Sequence, residues 1–350
     1  MSFFQWMTRA SIVAIATLST IACQNPNSQA ASNTVTSDSS AKQADDSTCR
    51  TVQHEMGKSE ICGEPERIVV LGPYLLEQML ALGKQPIAYG DHVAFHQGNY
   101  DNPTVQIPYM GNRVTTQPVN VGLAYQPSVE AIVKAQPDLI LAPNFGQVDY
   151  EQLSAIAPTL SFDIMGGNSN LVAIGKAFGL EDRAEELLTK TEVQIEQAKA
   201  ELAPVVENNP TVLMLSAENM QSLVVMTEAN SRCGSLVEEL GFQPVYPEGV
   251  TGNEVNAIPP ISIESLPAID TADSILLFGY NYDSANMDRF EQSQKNGLKQ
   301  AWEENAIAQS LEASKTERVY FVPAYLCLGL PGPIGTELYL EELQEQLLQP

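Results

Sequence analysis

The sequence predicts an α/β fold of two similar halves that are joined by one long helix. Three observations carry this prediction. Apolar runs of strand length alternate with helical patterns, and the alternation starts again after residue 210. A long helical segment with an apolar stripe lies between the two halves, and a short internal repeat relates them. We therefore expect helices that cover a mainly parallel sheet in each half.

The first 48 residues have the pattern of an export signal and a tether rather than of a core. Residues 10–22 form an apolar run that is too short to span a bilayer, and they precede Cys23. The run resembles the lipobox of bacterial lipoproteins, although Thr20 replaces the usual Leu; the alternative is plain secretion. We predict a lipoprotein signal peptide over 1–22, lipidation of Cys23 and a flexible linker over 23–48. The protein is then expected in the periplasm or cell envelope, anchored to the membrane by lipid.

Four further cysteines predict disulfides, because cysteines that occur in even numbers in exported proteins usually pair. Cys49 and Cys62 lie close enough in sequence to clamp an N-terminal hairpin, and Cys233 and Cys327 would then pair by elimination. A structural zinc site is the alternative, but the spacing contains no C-x₂-C unit.

The first half begins with the continuous apolar run RIVVLG at residues 67–72, which is typical of a buried parallel strand. A helical pattern follows over 74–82 and ends at Gly83. The remaining predicted elements of this half are strands over 86–90 and 137–143, a helix over 150–157 and a strand over 159–163.

A long helix is predicted over residues 181–202, at the midpoint of the chain. Its apolar stripe, with spacings of four and three, consists of Ala184, Leu188, Thr191, Ile195, Ala198 and Leu202. An ordinary surface helix is one interpretation, and a rigid strut between two lobes is the one that its position favours. We therefore predict an N-terminal lobe over 49–180, a bridging helix over 181–204 and a C-terminal lobe over 205–350.

The second half repeats the alternation of strands and helices. Its predicted elements are strands over 211–217 and 222–226, a helix over 234–241, strands over 273–280 and 318–323, and a closing helix over 335–348. The internal repeat consists of SVEAI (128–132) and SIESL (262–266), each followed by a strand-like run. Each copy is typical of a capped helix start, so Glu130 and Glu264 occupy equivalent positions. Stabilisation by the helix dipole alone is one explanation for acidic residues there.

The composition argues against several classes of function. The chain has 18 Lys and Arg against 43 Asp and Glu, a formal net charge of -25, which disfavours nucleic acid as a partner. The sequence contains no nucleophile, phosphate-loop or zinc-protease motif, so no catalytic residue is predicted. Asp91, His92 and His96 could contribute to a metal site, but a pocket-lining loop is the preferred interpretation, and no metal is predicted.

Aromatic and cationic side chains recur in the predicted loops at strand ends. Open α/β sheets bind ligands at the carboxyl ends of their strands, and aromatic walls suit a mid-sized ligand. The candidate ligand-binding residues are Tyr74, His92, Phe95, Arg113, Tyr125 and Phe145 in the first half and Arg232, Tyr280, Tyr282 and Tyr325 in the second.

Several stretches resemble the substrate-binding proteins of bacterial ABC importers for iron siderophores, a class related to cobalamin and haem binders. They are residues 49–83, 121–143, 150–163 and 261–277. The resemblance implies two Rossmann-like lobes joined by a single long α-helix, with the ligand cleft between the lobes. It also implies a monomer that needs no cofactor, carries a ferric siderophore and delivers it to an ABC permease that works with an ATPase.

The resemblance further implies roles for individual residues. Glu130 and Glu264 match the glutamates that dock onto the permease in this family. The arginine that some hydroxamate-siderophore binders carry after the VGL element is Ala124 here, so we expect Arg113 or Arg232 to oppose the negative oxygens of the chelate. Two alternatives stay open: a cobalamin or haem binder of the same fold and, less favoured, an exported α/β enzyme.

Overall fold

The computed structural model describes residues 49–253, 258–280 and 290–348. The predicted signal peptide, Cys23, the whole linker and Tyr282 lie outside the described residues. Within these ranges, none of the helices combines the length and the apolar character that a bilayer crossing needs.

An N-terminal hairpin precedes the first sheet. Its strands are β1 (Cys49–His54) and β2 (Gly57–Cys62), which pair antiparallel with Cys49 opposite Cys62. These two cysteines form a disulfide, which confirms the predicted clamp. Val52 and Ile61 point from the hairpin into the core of the first half, so the hairpin packs against that half.

The first sheet has the strand order β6-β5-β4-β3-β7-β8, and every pair is parallel except β5 with β6. Its strands are β3 (Ile68–Leu71), β4 (Ala88–Asp91), β5 (Val119–Leu123), β6 (Gln126–Pro127), β7 (Leu139–Pro143) and β8 (Thr159–Phe162). Its helices are α1 (Pro73–Ala81), α2 (Pro103–Gln106), α3 (Val129–Ala135), α4 (Tyr150–Ser154) and α5 (Gly167–Phe178). The predicted strand over 67–72 is thus β3, with all four residues buried.

The long helix is α6 (Glu181–Asn208), which has 28 residues and therefore extends about 42 Å. It continues four residues beyond the predicted end at 204 and contains Pro204. Its first buried residues, Ala184 and Leu187, belong to the core of the first half. Further along, Ile195 and Leu202 belong to the core of the second half, so one helix is embedded in both cores.

Five residues of the predicted stripe of α6 are buried. The sixth, Leu188, is partly buried and packs against the core of the first half, and its neighbour Leu187 is buried as well. The spacing of three from Ala184 to Leu187 keeps the stripe on one face, because a helix has 3.6 residues per turn.

The second sheet has the order β10-β9-β12-β13, with β11 also paired to β9. Its strands are β9 (Thr211–Ala217), β10 (Val224–Val225), β11 (Gln243–Pro244), β12 (Ser274–Gly279) and β13 (Val319–Pro323). The helices that follow α6 are α7 (Arg232–Glu239), α8 (Phe290–Glu303), α9 (Ala306–Ser310), α10 (Glu312–Lys315) and α11 (Pro333–Leu347). The central strands β9, β12 and β13 are parallel, as predicted.

The two copies of the internal repeat differ in local structure. The first begins α3, and the hydroxyl of Ser128 accepts a hydrogen bond from the N–H of Ala131, as expected of a capped start. The second is a 3₁₀ helix, Ile263–Ile269, without a side-chain cap, so the capped helix predicted there is wrong. Pro267 lies inside this segment and has no N–H to donate, which disfavours a regular α-helix.

The second disulfide joins Cys233 in α7 to Cys327 in a π-helical turn, Tyr325–Gly329, and confirms the pairing that elimination predicted. The final helix α11 also contacts both cores, through Ile334 near its start and Leu343 near its end. The described residues belong to one compact unit. The division into lobes at 180 and 205 therefore stays a prediction.

Candidate functional site

A cavity of about 390 Å³ lies between the two sheets, within the size range of small-molecule sites. From the first half it is lined by Pro73, Tyr74, His92, Ile164 and Met165. From the second half it is lined by Ser216, Val224, Tyr280, Tyr325, Leu328 and Gly329. Most of these residues directly follow the carboxyl ends of parallel strands, which is where open α/β sheets bind ligands.

Tyr74 owes its position to the glycine that ends the first strand. Gly72 has φ +104, a backbone conformation that favours glycine, and its N–H donates to the carbonyl of Gly90 at 2.8 Å. The Tyr74 ring lies directly against Gly72, where a Cβ atom would overlap the ring. Gly72 therefore lets the chain turn into α1 and leaves room for the Tyr74 ring.

Four rings of the first half contact one another beside the cavity, and two of them, Tyr74 and His92, line it. Tyr74 lies 6.4 Å from His92 and 6.2 Å from Phe145, between ring centroids. His92 in turn lies 5.8 Å from Tyr125 and 6.2 Å from Phe145. We call Tyr74, His92, Tyr125 and Phe145 the first aromatic cluster. Such tilted and edge-on contacts stabilise ring positions by about 0.5–1.5 kcal/mol a pair, so the cluster is a preformed wall.

A buried carboxyl group lies behind this wall. Asp91 is 3% exposed, and its Oδ1 accepts a hydrogen bond from the N–H of His92 at 2.6 Å. Burial raises the pKa of Asp91 to about 7, against the lowering effect of the His92 N–H and the Tyr89 hydroxyl. Burial lowers the pKa of His92, so its imidazole is neutral at pH 7. Burial, with Asp91 as a second cause, raises the pKa of Tyr74, which keeps its phenol protonated.

Two polar atoms of the wall have no hydrogen-bond partner among the described residues. They are the hydroxyl oxygen of Tyr74 and Nδ1 of His92, and both are buried. An unsatisfied buried polar group costs about 1–3 kcal/mol, so these two atoms make the wall less stable than a fully hydrogen-bonded one would be.

The second half contributes rings that also contact the first half. Tyr325 stacks on Tyr109, with 5.7 Å between centroids, and meets Phe290 edge-on at 5.2 Å. Phe95 meets Phe290 edge-on at 4.7 Å, so its ring packs at the seam between the halves. The N–H of Tyr325 donates to Oε1 of Gln294 at 3.2 Å, which fixes the backbone beside the cavity.

Neither predicted arginine lines the cavity. The guanidinium of Arg113 lies 3.2 Å from the carboxylate of Glu337 in α11. That of Arg232 lies 2.7 Å from the carboxylate of Glu239, and it lines a neighbouring pocket of about 400 Å³ that shares Met165 with the cavity. These ion pairs give no support to a direct contact between either arginine and a ligand in the cavity.

The described residues offer little to a metal ion. One group of potential ligands, Cys49, Glu60 and Cys62, lies together at the surface, but the disulfide engages both sulfur atoms. The imidazole of His96 forms a hydrogen bond with the carbonyl oxygen of Asn99 at 2.9 Å. His92, by contrast, lines the cavity. With all four described cysteines in disulfides, the zinc alternative has no ligands left.

Glu130 and Glu264 are both exposed. The N–H of Ser128, just before α3, donates to Val121 in β5 at 2.7 Å. In the second half, Ile261 forms an isolated antiparallel β-bridge with Leu223. Leu223 immediately precedes β10, which pairs with the end of β9. The carboxylate of Glu264 accepts a hydrogen bond from the backbone N–H of Glu264 itself and forms a second one with Ser262. These two hydrogen bonds hold the pKa of Glu264 below its usual range.

A family model described as Periplasmic binding protein matches residues 68–326, which is most of the chain. The chain belongs to the periplasmic binding protein family. Among curated relatives, it is 27% identical over 315 residues to the probable siderophore-binding lipoprotein YfiY of Bacillus subtilis, with 89% of this chain and 91% of the relative covered. It is 28% identical to the Fe(3+)-citrate-binding protein YfmC of the same organism, with 77% of each covered.

Solved structures confirm the fold class of this periplasmic binding protein. Staphylococcus aureus SirA complexed with staphyloferrin B matches it with a TM-score of 0.68 at 22% identity, covering 85% of this chain and 98% of SirA. At that identity the likeness concerns the fold alone. The predicted architecture, two α/β lobes joined by one long helix, is thus confirmed.

The predicted aromatic residues and His92 of this periplasmic binding protein fall into two groups among the described residues. Tyr74, His92, Tyr280 and Tyr325 line the cavity. Tyr125 and Phe145 lie behind it against His92, Phe95 packs on Phe290, and Phe145 also lines a separate pocket in the first half. The lining residues that sequence reasoning missed are Pro73, Ile164, Met165, Ser216, Val224, Leu328 and Gly329. Ile164 and Met165 could have been predicted only from their position after the end of a strand.

Proposed function

We propose that this periplasmic binding protein captures a ferric siderophore outside the cytoplasm and delivers it to an ABC permease. The observation that carries the proposal is the aromatic cavity between the carboxyl edges of the two sheets, in a chain of this family. Relatives add support, since one is named as siderophore-binding and another as Fe(3+)-citrate-binding. In this proposal the protein makes and breaks no bond.

Delivery requires contact with the permease, and we assign that contact to Glu130 and Glu264. Both carboxylates are exposed, which leaves them accessible to a partner. Charge pairing at two separate points would fix the orientation of docking and steer the encounter more than it would add affinity. A lipid on Cys23 and the polar segment 24–48 would keep the protein close to the membrane.

Titration calorimetry tests ligand capture directly. The probes are ferrioxamine B, ferric citrate and a synthetic hexadentate ferric tris-catecholate, each compared with its iron-free ligand. We expect at least one ferric chelate to bind with a Kd below about 10 μM, which corresponds to roughly 7 kcal/mol. Haemin and cyanocobalamin serve as probes of the alternative ligands. Failure of every iron chelate to bind, or tight binding of haemin or cobalamin alone, would overturn the proposal.

A cavity variant and a matched surface variant locate the binding site. Tyr280→Ala removes a ring that lines the cavity, and we expect it to weaken chelate binding about 10- to 100-fold. Val193→Ala shortens an exposed side chain on α6 and should leave the affinity unchanged. Equal affinities of the two variants would place the ligand elsewhere.

A further inference from the structure

The cavity presents an uncharged wall to its ligand. None of its lining residues among the described part of the chain is Lys, Arg, Asp or Glu. Tyr74 keeps its proton and His92 is neutral at pH 7, because burial raises the pKa of the first and lowers the pKa of the second. The groups that face the ligand are therefore aromatic rings, aliphatic side chains and neutral hydrogen-bonding atoms.

The charges around this wall are mainly negative. Asp163 and Glu228 line the adjoining pocket that contains Arg232, whereas Asp91, directly behind His92, has a pKa raised to about 7 and is only partly ionised at neutral pH. The guanidinium of Arg232 is already paired with Glu239 at 2.7 Å. The whole chain carries a net charge of -25. No surplus of positive charge is therefore available at the cavity from the described residues.

An anionic chelate would be at a disadvantage in such a site. A ligand pocket removes most of the ligand from water, and a buried charge without a partner loses several kcal/mol of solvation. Three hydroxamate groups balance the three charges of Fe(III), so their chelate is neutral. Three catecholates, or the carboxylates of ferric citrate, leave a net negative charge on the chelate.

We propose that this cavity selects ferric chelates without net negative charge, of which the tris-hydroxamates are the representative class. This inference rests on the proposed function and specifies its substrate. The Tyr74 and Tyr280 rings, the neutral His92 imidazole and the Ser216 hydroxyl are among the side chains that line the cavity, so its wall offers the chelate only uncharged groups. The Tyr74 and His92 rings of the first aromatic cluster then contact its aliphatic parts.

A matched series of probes isolates the charge of the ligand from its shape. Ferrioxamine B carries one positive charge on its terminal amine. Acetylation of that amine gives a neutral chelate, and succinylation gives one with a single negative charge and the same iron coordination. We expect affinity to fall from the cation to the anion, about three- to tenfold per unit of charge at low salt, and the differences to shrink at high salt.

A matched pair of variants tests the same point from the side of the protein. Val224→Lys places a cation in the cavity wall, and Val224→Met adds similar bulk without charge. We expect the succinylated chelate to bind about tenfold more tightly to Val224→Lys than to Val224→Met, and ferrioxamine B to bind less tightly. An unchanged charge preference between the two variants would overturn the inference.

The outcomes separate this inference from the proposed function. If the succinylated chelate binds as tightly as ferrioxamine B, or if only ferric citrate or the tris-catecholate binds, the charge preference is wrong while the proposed function stands. If no iron chelate binds at all, the proposed function fails and this inference with it. Tightest binding of a neutral or cationic chelate, with the expected dependence on salt, supports both.

Discussion

The carboxyl group of Glu77 accepts a hydrogen bond from the backbone N–H of Ile334 at 3.1 Å and joins the two halves of the molecule. Glu77 is fully buried in α1, and Ile334 lies in the first turn of α11. The same carboxyl group also accepts from the N–H of Gly332 and, at 3.4 Å, from that of Gly335. The first turn of a helix lacks partners for its N–H groups, and here a side chain from the other half supplies them.

Glu77→Ala should therefore destabilise the protein strongly. The substitution leaves three buried N–H groups without an acceptor, and we expect a loss of about 3 kcal/mol or more in the free energy of unfolding. Urea denaturation followed by circular dichroism measures this loss. Glu186→Ala removes an exposed carboxylate paired with Arg183 and should change stability by about 0.5 kcal/mol or less. Similar effects of the two substitutions would contradict the interlobe role of Glu77.

Asp91 should make the stability depend on pH. Burial raises its pKa from 3.8 to about 7, so the folded chain keeps a proton that the unfolded chain releases above about pH 4. This contribution is complete below the unfolded pKa and is lost as the pH rises through 7. Between pH 5 and pH 8 the loss should be on the order of 3 kcal/mol.

Asp91→Asn isolates that contribution. The amide oxygen of asparagine can still accept the hydrogen bond from the N–H of His92, but the side chain no longer titrates. Burial also raises the pKa of Glu77, to about 8, so the wild type loses stability from both groups over this range. The loss between pH 5 and pH 8 should be smaller in the variant, as urea denaturation at the two pH values would show. Parallel curves for the two proteins would refute the shift in Asp91.

Local signals were sufficient to predict the elements whose sequence pattern is complete in itself. The apolar run of β3 and the long stripe of α6 are of this kind. Helix α5 was not predicted, because its sequence includes Gly167 and Gly175, which disfavour helices. In the structure, a Cβ atom on Gly175 would lie 2.8 Å from Cβ of Ala184, so this glycine serves close packing of α5 on α6. Only tertiary contact explains it.

The candidate site likewise contains residues that the local sequence predicts and residues that it does not. Rings that follow strand ends, such as Tyr74 and Tyr325, could be predicted because parallel strands end at a common edge. The direction in which the Arg113 side chain points could not be predicted, because its partner Glu337 lies 224 residues further along the chain. Apolar lining residues such as Leu328 have no chemical signal that separates them from the core.

Gly72→Ala should damage the site more than the fold. An added Cβ atom would overlap the Tyr74 ring and displace it from the cavity, so we expect chelate affinity to fall about tenfold or more. Gly83→Ala is the matched control, because Gly83 also has a positive φ, +81, but nothing lies within 4 Å of the added atom. Both variants should lose stability through backbone strain, and calorimetry should show weaker binding for Gly72→Ala alone. Equal binding would exclude Tyr74 from ligand contact.

The disulfide between Cys233 and Cys327 should support both stability and binding. It ties α7 to the turn Tyr325–Gly329, which contributes Tyr325, Leu328 and Gly329 to the cavity. For a sequence separation of 94 residues, the chain-entropy model gives about 4–5 kcal/mol. The double variant Cys233→Ala/Cys327→Ala should unfold at lower urea concentration and bind chelate more weakly. Loss of the Cys49–Cys62 bond should lower stability while leaving affinity intact, since it lies in the N-terminal hairpin.

Removal of Glu130 and Glu264 should separate capture from delivery. Neither carboxylate lines the cavity, and both are exposed, so Glu130→Ala/Glu264→Ala should bind chelate with unchanged affinity. Transport by the permease reconstituted in liposomes should fall about tenfold or more, because two docking charges are lost together. The control is Glu185→Ala/Glu207→Ala, which removes the same charge from exposed positions on α6 and should transport normally. Equal transport by the two double variants would leave the helix dipole as the explanation for Glu130 and would remove the docking role from both glutamates.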